Sequence, residues 1–252
     1  MKFRPCIDLH GGTVKQIVGS TLSDQSPDSL QTNFIADKSS SWYAELYKND
    51  NLTGGHIIKL GPGNDEAATE ALRAWPGGMQ IGGGITAENA VQWLDRGASH
   101  VIVTSYVFSG GVIDRSRLNK LVDRVGKKRL VLDLSCRRRG DNYFIVTDRW
   151  QNFTEVVISG QVLDELAESC DEFLIHAADV EGKCSGIEKV LVEKLALWSP
   201  LPTTYAGGVR DKADMELVQT LGQGRIDVTI GSALDIFGGS TITYREAVEF
   251  SK

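Results

Sequence analysis

The chain has 252 residues, of which 41% are hydrophobic and 24% charged, with a formal net charge of −6. That is the composition of an ordinary globular protein, and one α/β barrel or two smaller domains both fit the length. The acidic balance argues against non-specific nucleic-acid binding but not against an anionic ligand, which backbone amides can hold, and no run of about 18 apolar residues suggests a membrane span.

Strand and helix patterns alternate along the chain. Residues 3–9 read as a strand that starts at the very beginning, so no targeting peptide and a cytoplasmic location are expected. A helical face on Trp42, Tyr43, Leu46 and Tyr47 follows, then a strand over 56–60 and a helix carrying Ala67, Ala68, Ala71, Leu72 and Trp75. Strand 79–81 precedes a helix on Ala90, Val91 and Leu94; strand 100–104 precedes one on Leu118, Leu121, Val122 and Val125. The second half continues with strand 129–134 and a helix on Val162, Leu163 and Leu166, then strand 172–175 and a helix on Val190, Leu191 and Leu195. Strand 203–205 with Met215, Val218 and Leu221, and strand 227–230 with a closing helix at 244–250, complete the series. The helical residues recur at i, i+3 and i+4, and the strands are continuously apolar, as parallel strands covered on both faces are.

Eight such units predict a closed (β/α)₈ TIM barrel filling 1–252 as one domain. Thr86 and Asp211 are placed to N-cap two of the helices. Two segments, 19–38 and 135–161, exceed ordinary connections and follow the first and fifth strands, on the face where barrel loops carry function. The four cysteines, Cys6, Cys136, Cys170 and Cys184, form no C-x-x-C and read as free thiols.

The chain also repeats itself at a spacing of about 125 residues. Ile81-Gly82-Gly83-Gly84-Ile85 then Val103-Thr104-Ser105 match Tyr205-Ala206-Gly207-Gly208-Val209 then Ile230-Gly231-Ser232. Cys6-Ile7-Asp8-Leu9 matches Val131-Leu132-Asp133-Leu134. Two half-barrels, 1–125 and 126–252, are therefore expected, each with one carboxylate and one phosphate-type turn.

Strands one and five face each other across a barrel mouth, so a ligand spanning it would meet Asp8 on one side and Asp133 on the other. Carboxylates in different surroundings can act as base and acid; alternatively, each could simply cap its own loop. Gly83 and Gly84 with Thr104 and Ser105, and Gly207 and Gly208 with Gly231 and Ser232, let backbone amides approach phosphate, which predicts a small molecule with a phosphate at each end. A short helix after Ser232 is expected to point at one of them. His176 ends the sixth strand at the mouth, whereas His56 and His100 precede apolar runs and are expected at the opposite, structural end. No histidine spacing suits a metal, so none is expected. Trp150, in the long loop after Asp133, could be a lid or loop packing. Lys15, or one of Arg137, Arg138 and Arg139, could meet a phosphate.

These residues together resemble a known family. Cys6-Ile7-Asp8-Leu9-His10, Val14-Lys15-Gln16-Ile17-Val18-Gly19, the Gly82 to Ile85 run, Val103-Thr104-Ser105, Asp133-Leu134-Ser135-Cys136-Arg137, Val180-Glu181-Gly182, Ala206-Gly207-Gly208 and the 231–239 stretch are similar to the ProFAR isomerases of histidine biosynthesis, in their eukaryotic branch. The resemblance spans the whole chain. It implies a monomeric two-fold barrel that converts ProFAR, a ribosylamine with two phosphates, from aminoaldose to aminoketose by an Amadori rearrangement, without metal or cofactor. It further implies Asp8 as the base at C2′, Asp133 as the acid that protonates the ring oxygen, with Glu181 and His176 as rivals for that role, and Trp150 as the covering residue. The alternatives are the sister glutaminase-coupled cyclase, a sugar-phosphate epimerase, and a barrel that binds a bisphosphate without turnover.

Overall fold

The computed structural model describes residues 1–21 and 31–251. Eight parallel strands form its wall: β1 (Cys6–His10), β4 (Gly55–Lys59), β5 (Met79–Gly82), β6 (Val101–Val103), β7 (Leu130–Asp133), β11 (Glu172–His176), β12 (Thr203–Ala206) and β13 (Ile226–Thr229). Consecutive wall strands pair from β1 to β13, and the wall closes where the Arg4 N–H donates to Val228 O at 2.8 Å and the Val228 N–H donates to Lys2 O at 2.9 Å. Seven crossings pass through α1 (Ser40–Asn49), α2 (Asp65–Ala74), α3 (Ala90–Asp95), α4 (Arg115–Val125), α5 (Gly160–Ala167), α6 (Lys189–Trp198) and α7 (Lys212–Leu221), and α8 (Tyr244–Phe250) completes the outer layer. This is the expected TIM barrel.

Two apolar regions hold it together. Inside the wall, Ile102, Val131 and Leu174 meet, with Ile58 against them. Outside it, strand residues such as Ile57, Ile81 and Leu132 pack on the inward faces of the helices, among them Ala68, Ala71, Leu72 and Leu121. The strand entrances carry an ionic floor: Arg4 bonds Asp227 at 2.8 Å and lies 3.8 Å from Glu172, which also accepts from Gln80 at 2.9 Å. His100 sits at this end beside Asp171, as expected.

The caps agree in part. Asp211 accepts from the Asp214 N–H and starts α7. Thr86 instead opens the turn before α3, whose N-cap is Asn89; the Asn89 side chain accepts from the Thr86 N–H. The stretch after Ser232 forms only a 3₁₀ turn, Asp235–Phe237.

The two long segments are more ordered than loops. β2 (Thr13–Ile17) folds back antiparallel on β1 and pairs with β3 (Thr32–Ile35); residues 22–30 of the first segment lie outside the described residues. The second segment forms a three-stranded antiparallel sheet of β8 (Cys136–Arg139), β9 (Asn142–Thr147) and β10 (Asn152–Val157). β8 and β10 are mixed polar and apolar runs that carry no strand signal of their own, whereas β9 holds the apolar run Tyr143 to Val146 that signals one. Both hairpins rise directly after an aspartate-bearing wall strand, so each half of the mouth has its own rim.

Candidate active site

The rim and the strand ends enclose a cavity of about 660 Å³. Asp8, Asp133, His176 and Glu181 line it together with Gly83, Gly84, Thr104, Ser105 and Trp150. A smaller recess of about 20 Å³ adjoins it, sharing Asp8, His176 and Glu181 and lined further by Gly207, Gly208, Gly231 and Ser232. The two glycine turns thus lie on different sides of one group of titratable side chains.

Each turn needs its glycines. Gly83 and Gly84 have φ of 90° and 70°, and Gly207 and Gly208 have 123° and 78°, backbone that side chains rarely adopt. A Cβ on Gly83 would stand 2.1 Å from Lys59 O, and one on Gly208 2.2 Å from Gly186 O. Both turns put left-handed backbone on the C-terminal side of the barrel, the first at the surface of the cavity at Gly84 and the second buried at Gly207 and Gly208.

Between them, Asp133 ends β7 and His176 ends the adjacent β11. His176 Nδ1 lies 3.4 Å from Asp133 Oδ1, which also accepts from the Ser135 N–H at 2.9 Å and the Ser135 hydroxyl at 2.7 Å. Burial pushes the Asp133 carboxyl up, but the His176 charge and these bonds outweigh it and hold it below the usual range. Burial pulls the His176 imidazole down, yet Asp133, with help from Glu181 and Asp8, lifts it to about 9. The pair is therefore imidazolium and carboxylate at neutral pH.

Asp8, on β1, has a different setting. Burial raises its carboxyl, and His176 and the hydrogen bonds from Gln16 and Cys6 offset this only in part. Glu181 is raised to about 7, first by burial, with His176 pulling it down and Asp8 pushing it up. Its Oε2 is buried without a hydrogen-bond partner among the described residues.

Trp150 lines the same cavity, against His176 and Gly19. Its ring centroid lies 5.7 Å from that of His176, and a Cβ on Gly19 would stand 2.1 Å from the indole. Asp148, Arg149 and Trp150 all have positive φ, 52°, 56° and 66°, an unusual run for residues with side chains. The Ser105 hydroxyl accepts from the Asp148 N–H at 2.9 Å, so a strand end of the first half holds the loop of the second.

Several expected residues lie elsewhere. Lys15 lines neither cavity: alternation along β2 turns Gln16 towards Asp8 and Lys15 to the other side, where its charge acts on His10. The arginine run is absorbed by structure: Arg137 bonds Asp179 at 2.8 Å, Arg138 donates to Gly140 O, and Arg139 stacks on Phe153 at 3.5 Å. His56 is a correction of the opposite kind. It stands near the start of β4 but points into the barrel, edge-on to His176 with centroids 5.8 Å apart, and burial holds it at about 3. Gln16 was the residue missed, although the Thr13-Val14-Lys15-Gln16-Ile17 alternation places it on the inner face with Val14.

One cluster of metal-type donors exists among the described residues, His100, Asp171 and Glu172, and it belongs to the strand-entrance floor rather than to this cavity. None of the helices described is long and apolar enough to cross a membrane.

Comparison with known proteins gives the same direction. The profile of the family described as "Histidine biosynthesis protein" matches residues 2–240. A chloroplastic protein of Medicago truncatula, named 1-(5-phosphoribosyl)-5-((5-phosphoribosylamino)methylideneamino) imidazole-4-carboxamide isomerase, is 54% identical over 98% of this chain and 81% of its own length. Proteins of the same isomerase name from Yarrowia lipolytica and Saccharomyces cerevisiae are 51% and 46% identical, each over 100% of this chain and 98% of their own. This chain belongs to the histidine biosynthesis protein family.

Proposed function

We propose that this protein is the ProFAR isomerase of histidine biosynthesis, an intramolecular aldose–ketose isomerase that performs an Amadori rearrangement. The whole-length similarity to proteins bearing that isomerase name supports the reaction. The observation that carries the chemistry is the placing of Asp8 and the Asp133–His176 pair at one cavity, between two glycine turns. A substrate with two phosphates would lie with one phosphate at Gly83, Gly84, Thr104 and Ser105 and the other at Gly207, Gly208, Gly231 and Ser232. The two turns come from the half-barrels 1–125 and 126–252. A monomeric, cytoplasmic enzyme belongs to the same reading, with an organelle as the alternative that the chloroplastic relative raises.

The proton steps follow from the charges. His176 donates from Nε2 to the ribose ring oxygen; the C1′–O bond breaks as the anomeric nitrogen's lone pair forms a Schiff base. Asp8 then removes the C2′ proton, giving an enolamine that tautomerises to the aminoketose. Nothing is oxidised overall and no atom is lost, so the side chains need only move protons. Asp133 cannot be the immediate donor while it is held ionised; it orients and charges His176. Trp150 covers the reacting ribose and excludes water.

Glu181 is a second reading for the acid, favoured by its buried, unpartnered Oε2 and a carboxyl at about 7. The test is a spectroscopic ProFAR assay on wild type, Asp8→Asn, His176→Asn and Glu181→Gln, with and without EDTA. Loss of turnover with retained substrate binding in Asp8→Asn and His176→Asn is expected, by about 10³-fold or more. Full activity of Asp8→Asn would remove the base, and an inert Glu181→Gln beside an active His176→Asn would transfer the acid role to Glu181.

A further inference from the structure

The base is held by a residue that is not on its own strand. Gln16 is buried on β2, and its Nε2 donates to Asp8 Oδ2 at 3.1 Å and points at Cys6 Sγ at 3.9 Å. The other end of the same amide is confined as well. A Cβ added to Gly231 would stand 2.2 Å from Gln16 Oε1 and 3.2 Å from its Cδ. Gly231 is not among the left-handed glycines, so its backbone does not require the residue. Space does: the amide is fixed at one end by Asp8 and at the other by the bare Cα of Gly231.

We propose that Gln16 is the positioning residue of the base, and that Gly231 lacks a side chain in order to seat the Gln16 amide. The inference rests on Asp8 as the base of the reaction above. The amide occupies Oδ2 of Asp8 and leaves Oδ1 for the C2′ proton, and a rigid donor sets the direction in which the carboxylate faces. It favours the ionised form that a base needs, against burial. It also joins the β1–β2 rim, the β13 turn and the reacting carboxylate into one unit, so the turn assigned to a phosphate is in van der Waals contact with the group that orients the base.

The groups that bear on Asp8 are the His176 imidazole from β11, the Glu181 carboxyl from the loop after it, the Cys6 thiol from its own strand and the Tyr47 hydroxyl from α1. Of these, Gln16 touches only the Cys6 thiol, which burial pushes well up and keeps protonated, so the acidic limb isolates its effect on Asp8.

The experiment is a pH–rate profile of Gln16→Met and Gln16→Glu beside wild type and Asp8→Asn, with thermal unfolding as the folding control. In Gln16→Met the acidic limb of kcat should move up by about one pH unit, and kcat should fall about tenfold with KM changed less than about twofold. Gln16→Glu should move the limb further in the same direction, since it sets a second carboxylate against Asp8. A two-by-two cycle completes the test: Gly231→Ala should lower kcat about tenfold in the wild-type background but less than about twofold in Gln16→Ala, where the amide is gone. An unmoved acidic limb in a folded Gln16→Met, or additive effects in the cycle, would overturn the inference while leaving an inactive Asp8→Asn intact. An active Asp8→Asn would instead overturn the reading on which it rests.

Discussion

His176 turns Nδ1 towards Oδ1 of Asp133 at 3.4 Å, so one nitrogen of the ring is committed to a carboxylate and the other is left to the cavity. Two consecutive wall strands, β7 and β11, place them there, and Ser135 fixes the carboxylate with two further donors. The ring's charge and direction are thereby set before any substrate arrives.

That relationship predicts the pH dependence of turnover. Asp8 must be ionised, and its carboxyl is raised, so the acidic limb should lie above the ordinary aspartate range. His176 must be protonated, so the basic limb should fall near 9. Glu181 as the acid would bring that limb down to near 7. Asp133→Asn removes the main anion that lifts His176 and leaves only Glu181 and Asp8 to oppose burial, so its basic limb should shift to lower pH, with kcat reduced about 10²-fold or more. A profile of kcat from pH 5 to 10 checks both; a limb that stays in place in Asp133→Asn contradicts the pairing.

The glycine turns should be separable by ligand. Gly84 has open space around a hypothetical Cβ but a φ of 70°, so Gly84→Ala should strain the turn without a clash. Gly208→Ala adds a clash with Gly186 O. Each should raise KM for the full substrate by about tenfold, from strain of roughly 1–3 kcal/mol. Titration of analogues lacking one phosphate should show each variant indifferent to the loss of one phosphate and sensitive to the loss of the other. Equal sensitivity in both variants would argue against one phosphate per turn.

Trp150 gives a prediction about the lid. Its indole lies over Gly19 and beside His176, on three successive residues in left-handed backbone. Gly19→Ala should exclude the ring from this position, and Trp150→Ala should remove it. Both should lower kcat/KM by about 10- to 100-fold while shifting the unfolding midpoint by no more than a few degrees. Steady-state kinetics and calorimetry on the two variants decide it; an effect on stability with kinetics unchanged would make Trp150 loop packing only.

How far the sequence could be read differs between the wall and the rim. The wall was legible because its strands are continuously apolar and its helices keep their period, and the glycine turns and Asp8 and Asp133 were legible because they occur twice. The rim was not: Cys136–Arg139 is a run of a cysteine and three arginines, which reads as solvated chain, yet it pairs with β9 and spends its charges on Asp179, Gly140 O and Phe153. His56 escaped because strand position alone says which end a residue starts from, not that its ring reaches inward to His176. Gln16 carried a signal, the alternation of β2, but its meaning depended on Gly231, more than two hundred residues away.

The Asp133–His176 pair also makes stability depend on pH, and the sign can be worked out. His176 is raised from 6.5 unfolded to about 9 folded, so the folded state binds its proton more tightly. Its contribution is complete below pH 6.5 and is lost as pH rises through about 9, a change on the order of 3 kcal/mol at a buried site. Asp133 is lowered from 3.8, so its contribution is present above 3.8 and is lost as pH falls through its depressed folded value. Urea unfolding of the wild-type protein should therefore show a decline in stability between pH 6.5 and 9, below the range where the raised buried thiols add their own, that His176→Asn largely abolishes. Asp133→Asn should strongly reduce it, because the largest charge that raises the imidazole is gone and only Glu181 and Asp8 still act on it, and the double variant should add little to His176→Asn. Variants that keep the wild-type slope through this window would show that the two groups are not an ion pair in the folded protein, and the assignment of His176 as a charged proton donor would fall with it.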